Sequence, residues 1–317
     1  MGLHLWDHAA ERRHRRSNRL HSALLLAGMA ALLAACGWVI GGPSTLLWAL
    51  LGGLLGLGLS PGMSPGLVLR LYRARPVAPR QWPELYDVLE RLAAAAGLET
   101  VPVLHIVPAP AANAFAVGGR GGAAIAVTEG LLARLDLREL AAVLAHEISH
   151  IRNGDLRLMG LADLISRLTR LMAWMGLVLL VLSLPLVASG EAGAPLPLVA
   201  LLMAAPSFSA LMQLALARTR EFDADLDAAT LTGDPEGLIR ALRKMEAPEP
   251  TFWGRIWLPR RQPRDDPSLL RTHPSTEERI ERLRALHVPL RLEFGPHALV
   301  PPTLSPVARR PWRWPHG

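Results

Sequence analysis

His146, Glu147 and His150 stand in the stretch "AVLAHEISHIRNGD", residues 142 to 155. Histidines four apart on a helix project from one face and can share a metal ion, and a glutamate beside the first can act on a water held by that ion. Zinc lowers the pKa of its bound water from near 16 to about 7, and a neighbouring carboxylate can take the proton as the water attacks a carbonyl. The chemistry on offer is metal-assisted hydrolysis. The alternative is a pair of helix-surface histidines that do no more than pair with Glu147.

A hydrolytic zinc ion needs a third protein ligand and one position left open for water. A carboxylate or histidine from another helix would serve, and residues 215 to 229 read "ALARTREFDADLDAA", where Glu221 and Asp225 share a helical face. Ligating histidines usually donate their second ring N–H to a carboxylate, which makes Asp225 and Asp155 candidates for that supporting role. His273, in "THPSTEERI", is a candidate donor to the charge that develops on the attacked carbonyl oxygen. Asn113, in "NAFAV", is a candidate for the cleft rim, on an edge strand that could pair with extended substrate backbone.

The elements that must position these groups can be read from periodicity. Asp136 followed by Glu139 predicts a capping box, and Leu140, Val143 and Leu144 continue at helical spacing, so the histidine pair lies in a helix expected to run on toward the next apolar segment. A helix is predicted from Pro83, with Leu85, Leu89 and Leu92 on one face, closing at Gly97. "VPVLHIV", "NAFAV" and "GAAIAV" predict three strands of a small sheet. Two more helices are predicted at "GDPEG", with Leu238 and Leu242, and at "HPSTEERIERL", with Ile280 and Leu283.

Half of the 317 residues are hydrophobic, which directs attention to a bilayer. Four charge-free runs, Leu20 to Ile40, Leu46 to Leu69, Leu171 to Ala188 and Gly193 to Ala217, are each long enough at about 1.5 Å per residue to cross a core of about 30 Å. Arginines flank the outer ends of both pairs (Arg12, Arg13, Arg15, Arg16 and Arg19; Arg70, Arg73 and Arg75; Arg167 and Arg170; Arg218 and Arg220). The loops "GGPST" and "SGEAGAP" carry none. The positive-inside rule then predicts two hairpins that dip from the cytoplasmic face, leaving the rest cytoplasmic. The net charge of +7 is accounted for by arginines beside apolar spans that meet an anionic leaflet, and no nucleic-acid motif accompanies it. The single cysteine, Cys36, excludes a disulfide framework. It also ends "LAAC", which raises an alternative: cleavage as a lipoprotein signal, which would reverse the location of the chain.

The fragments "ARPVAP", "NAFA", "VTEGLL", "LAHEISHIRNGD", "TREFDAD" and "THPSTEERIERL" occur in this order between apolar spans. Over roughly residues 70 to 290 the chain resembles the HtpX-type membrane zinc metalloproteases, and more distantly the CAAX prenyl proteases. The resemblance implies one zinc per chain held by His146, His150 and Glu221, with Glu147 as catalytic base. It also implies a role in quality control of membrane proteins. "SPGMSPG", the Arg/Pro/Trp segment before Thr272 and the Pro-rich tail match nothing in that pattern.

The expected fold is mainly α with a small β-sheet, a zincin-like α+β catalytic domain plus four transmembrane helices in two hairpins. The expected divisions are a basic N-terminus (1–19), the first hairpin (20–69), a first catalytic part with the histidines (70–170) and the second hairpin (171–217). A second catalytic part with the third ligand (218–294) and a tail (295–317) complete the chain. The expected function is a zinc endopeptidase of the bacterial plasma or inner membrane, acting on unfolded or membrane-associated polypeptides, with no nucleic-acid partner. Prenyl-protein processing is one alternative, set back because those relatives carry more spans. A non-catalytic scaffold or holdase with structural zinc is another, set back because such zinc is normally closed by four ligands, often cysteines.

Overall fold

Apolar runs punctuated by Pro and Gly do become strands, and a fourth strand joins them. The computed structural model describes residues 8–59, 65–119, 122–190, 192, 195–246 and 275–286, with backbone alone over 8–15, 41 and 45–59. Strands β1 (Arg75–Pro76), β2 (Val103–Val107), β3 (Ala114–Gly119) and β4 (Gly122–Thr128) form one mixed sheet in the order β1-β2-β4-β3. β2 runs parallel to β4, while β1 and β3 run antiparallel to their neighbours, so β3 is an edge of the sheet. Central β4 is buried on both faces: Ile125 and Val127 join the main core, and Ala124 and Ala126 join a second cluster with Val107, Val117 and Leu69. A strand buried on both sides reads as a continuous apolar run, which is why "GAAIAV" shows no alternation.

Helices close the main core over one face of this sheet. α3 (Pro83–Ala95) begins with proline at its first position and buries Leu85, Leu89 and Leu92, and Gly97 leaves it with φ +69. Short α4 (Glu129–Arg134) is capped by Thr128. α5 (Leu137–Asn153) starts at the capping box: the Asp136 side chain accepts the Glu139 backbone N–H, and the Glu139 side chain accepts that of Asp136. Leu144 and Ile148 of α5 are fully buried beside Leu85, Leu104 and Ile125, each such side chain contributing about 1.5–3 kcal/mol through burial. α8 (Pro235–Glu246) packs on α5, its entry fixed by Asp234, which accepts from the Gly237 N–H and pairs with Arg138 on the first turn of α5. α9 (Thr276–Arg284) is capped by Ser275 and packs on α8 and α7.

Three long helices complete the fold: α1 (His8–Leu59), α6 (Asp155–Ala188) and α7 (Leu196–Thr232). Among the described residues, three segments are long and apolar enough to cross a membrane, Arg16–Ile40 within α1 and the helices α6 and α7. They pack on one another, with Met29, Leu33, Ala162, Ile165 and Leu216 buried together and Cys36 against Leu202 and Ala205.

Four spans were expected; among the described residues three segments qualify, and the "GGPST" turn of the first hairpin lies inside α1. The break survives only locally, where Gly42 has φ +66 ahead of Pro43. The expected second span also overreaches at its end. Pro65 opens a separate short helix, α2 (Pro65–Leu71), whose Leu69 is buried on the sheet with Val107 and Val117. Proline is favoured at a first helical position because its missing N–H needs no partner there, so the apolar run extends past the start of α2. The histidine helix does not run on into the next span either. Gly154, at φ +71, caps α5 with its N–H on His150 and Ile151 carbonyls, and α6 starts anew at Asp155.

Candidate metal centre

His146 and His150 lie one turn apart on α5, a helix held rigid because its opposite face is core. Helix α7 passes alongside and brings Glu221 to both. The Nε2 atoms of the two histidines are 3.2 Å apart, the Glu221 carboxylate is 3.5 Å from His146 Nε2 and 3.8 Å from His150 Nε2, and one ligand atom from each of the three lies within 4.8 Å of the others. Two imidazole nitrogens and a carboxylate oxygen form a donor set that suits a divalent transition ion such as zinc. Glu147, next along α5, is 9% exposed.

Both Nδ1 atoms face away from the shared side, and each meets a carboxylate. Asp225 Oδ1 lies 3.1 Å from His146 Nδ1, and Asp155 Oδ2 lies 2.8 Å from His150 Nδ1. Asp225 sits one turn after Glu221 on α7, so a single helix supplies both a carboxylate to the shared side and one behind it. Asp155 comes from the first residue of α6, beyond the Gly154 turn. With Nδ1–H donated backward, Nε2 of each ring is the atom left to offer a metal on the shared side.

A guanidinium that the sequence reading did not single out closes the cluster. Arg279, on α9, donates through Nε and Nη2 to the two oxygens of Asp225, at 2.7 and 2.5 Å, and its Nη1 is 3.4 Å from Glu221. Burial works against its charge, but Asp225, Glu221 and Glu147 together hold it protonated, its pKa raised. For Asp225, burial works to raise the carboxyl and is outweighed by Arg279 and His146, so its pKa is lowered. Burial likewise presses on His146, yet hydrogen bonding to Asp225 and Glu221 carries it up to about 10. A basic imidazole amid carboxylates marks a place arranged for positive charge, as a divalent cation requires.

Glu221, Asp225 and Asp155 are thus gathered around the histidine pair. Asn113 precedes the edge strand β3, its backbone N–H donating to the Thr128 hydroxyl and its carbonyl accepting the Thr128 N–H. His273 lies outside the described residues. Besides Arg279, the residue not anticipated at the site is Arg220, 3.3 Å from Asp155 Oδ1. The available signal is local: Arg279 lies in "THPSTEERI" with His273, and Arg220 adjoins Glu221 in "TREFDAD".

A sequence model of peptidase family M48 matches residues 79–287, a span that includes both histidines, Glu221 and Arg279. The chain belongs to peptidase family M48. Among curated proteins, this M48 peptidase is 36% identical over 285 residues to a "Protease HtpX homolog" of Desulfatibacillum aliphaticivorans, covering 84% of this chain and 89% of that one. It is 34% identical over 312 residues to the protein of that name from Pyrococcus abyssi, covering 93% and 100%. Kineococcus radiotolerans has another, 37% identical over 290 residues, with coverage of 86% and 98%. A crystal structure of S. mikatae Ste24p shows a weaker likeness, with a TM-score of 0.49 and 18% identity over 86% of this chain and 66% of that one. Family membership together with the three long apolar helices among the described residues makes this M48 protein a membrane metallopeptidase.

Proposed function

We propose that this M48 peptidase is a zinc-dependent endopeptidase that cuts unfolded or damaged membrane-associated polypeptides at the cytoplasmic face of a bacterial plasma or inner membrane. The observation that carries the reading is the convergence of His146, His150 and Glu221 beside Glu147. His146 and His150 would hold zinc through Nε2, with Asp225 and Asp155 fixing the ring orientations from behind. Glu221 would be the third ligand, and Arg279 would keep Glu221 and Asp225 ionised and in place. Zinc in that position supplies the Lewis acidity that makes water a nucleophile near neutral pH. Glu147 then takes the water's proton and delivers it to the departing amine. His273 is retained as the candidate donor to the developing oxyanion, and Asn113, with edge strand β3, as the candidate rim for an extended substrate.

The membrane arrangement follows from where the chain leaves and rejoins the site. Asn18 donates to Asp223, close to Glu221, and Leu69 lies on the sheet, so a chain departing along Arg16–Ile40 must return before α2. We therefore keep a returning leg between residues 46 and 64, and the divisions of the catalytic part at 70–170 and 218–294 around the α6–α7 hairpin. The arginines at the site-proximal ends support a cytoplasmic location for that side.

The deciding experiment is degradation of an unfolded model protein by the purified full-length chain, with and without a chelator, alongside zinc analysis. Cleavage that survives complete zinc removal would overturn the reading. Reporters fused after Arg75, at Glu191 and after Ala285 should read inside, outside and inside, and any other order would reject the topology.

A further inference from the structure

A file of polar side chains runs from the candidate metal ligand His150 to the first membrane helix, and we propose that it makes Asn18 of α1 a positioning residue for the metal. The proposal rests on the metal reading above. The file begins at His150 Nδ1, 2.8 Å from Asp155 Oδ2. The other oxygen of Asp155, Oδ1, is 3.3 Å from Arg220 Nη1. Arg220 Nη2 donates to Asp223 Oδ2, and Asp223 Oδ1 accepts from the side-chain amide of Asn18. Each carboxylate gives one oxygen to either neighbour. Displacing one member therefore pulls on the next.

Asp155, Arg220 and Asp223 are 3%, 8% and 7% exposed, so the file is sheltered from the solvent and salt that would weaken an exterior chain of charges. Arg220 also precedes Glu221 on α7, so its anchoring bears on two ligands, His150 through Asp155 and Glu221 through the shared helical turn. Stability alone is a poor reason for such an arrangement. Buried ion pairs often contribute no more than well-packed apolar residues of similar volume, and among the described residues Arg220 Nε finds no hydrogen-bond acceptor. What the arrangement does achieve is orientation. Arg220, held from one side by Asp223 and Asn18, aims the Asp155 carboxylate at the imidazole N–H, which points Nε2 of His150 at the metal position. Asn18 lies at the start of the apolar stretch Arg16–Ile40, in a turn closed by the Ser22 hydroxyl donating to the Asn18 carbonyl. The seating of α1 against α7 is thereby coupled to metal affinity.

The test uses the full-length protein in detergent and reads zinc Kd by competition with a chromophoric chelator, together with the melting temperature of the metal-free protein. The variants are Asn18→Leu, Asn18→Asp and, as a control at an exposed neighbour, Arg19→Gln. Partners directly behind a ligand cost about 10- to 100-fold in affinity when lost, and Asn18 acts further out, so Asn18→Leu should weaken zinc about 3- to 10-fold. Asn18→Asp should weaken it more, because it sets a second carboxylate against Asp223. Arg19→Gln and the metal-free melting temperature of Asn18→Leu should stay at wild-type values. Combined with Asp155→Asn, Asn18→Leu should cost less than the product of the single effects. Zinc Kd within about twofold of wild type in both Asn18 variants would overturn the proposal, as would strict multiplication with Asp155→Asn. A lower metal-free melting temperature with unchanged Kd would show Asn18 to be glue between α1 and α7 and would equally overturn it. A wild-type chain that takes up no zinc would sink the metal reading itself, an outcome distinct from wild-type affinity in the variants.

Discussion

Asp155 follows His150 by a single turn of chain, and its carboxylate lies 2.8 Å from the His150 Nδ1 because α5 stops at Asn153 and Gly154 redirects the path. Had α5 continued unbroken, residue 155 would have projected about 140° around the helix from residue 150. The turn at Gly154 therefore brings the carboxylate behind the imidazole.

Gly154→Ala should be destabilising by about 1–2 kcal/mol, the cost of a left-handed conformation for a residue with Cβ. The φ there is +71 and an added Cβ would meet nothing within 4 Å, so the penalty is conformational and free of clash. Gly154→Asn should recover part of it, since asparagine tolerates this region better. Denaturant melts of the three proteins test this, and identical midpoints would show that the turn relaxes at no cost.

Glu147→Gln should retain zinc and lose about 100- to 10,000-fold in peptide hydrolysis, because the amide keeps the shape of the side chain and cannot accept a proton. Turnover is measured on a protein of verified zinc content. Near-normal turnover would remove Glu147 from the mechanism.

Glu221→Ala and Asp227→Ala should separate metal binding from packing. Loss of Glu221 should lower zinc affinity by at least about 10- to 100-fold, the range for groups one step further out. Asp227 is 1% exposed and joins α7 to the back of α5: its Oδ2 accepts from Ser149 at 2.7 Å and Asn153 at 2.8 Å and pairs with Arg152 at 2.6 Å. Its removal should lower stability by about 1.5–3 kcal/mol while the folded protein keeps its zinc. Metal analysis and melting curves give the two readouts, and full zinc occupancy in Glu221→Ala would mean that the third ligand lies elsewhere.

Asp234 should supply an acid-sensitive part of the stability. Burial works to raise its carboxyl, but Arg138 and the Gly237 N–H outweigh that and lower its pKa below the ordinary 3.8. A depressed folded pKa means a contribution fully present above the unfolded value and lost as pH falls through the folded one. Asp234→Asn should therefore be less stable than wild type at neutral pH, with the gap narrowing on acidification below that ordinary value. A gap that stays constant through the acid range would exclude this linkage.

Local signals in the sequence reached far into this molecule. The Asp136–Glu139 box, the Pro83 start and the Gly97 stop are each written in consecutive residues, and the helices follow them. "NGD" carried the same kind of signal for the end of α5, and the apolar periodicity on either side hid it. The close grouping around His146 was legible where one helix supplies two groups, as Glu221 and Asp225 do. Arg279 was not, since it arrives on α9 from far along the chain and looks in sequence like any solvated arginine. The Asn18–Asp223 contact joins residues 205 apart, a relation with no local period to betray it. Charge-free runs fix how much apolar chain is present and leave open how the backbone passes Gly42 and Pro43.

Helix α7 is one piece from Leu196 to Thr232, with exposed apolar Phe208 and Leu211 on its first half and Glu221 and Asp225 on its second. A continuous helix transmits its angular phase without loss. Deleting one residue between Gln213 and Arg220 would turn Glu221 by about 100° relative to the apolar half and draw it in by about 1.5 Å, off the histidines. Adding or removing four residues would bring the angle back to within about 40° and shift the carboxylate by about 6 Å along the axis. The interval between the bilayer-length half and the candidate metal ligand thus works as a gauge block, its residue count setting where the carboxylate stands.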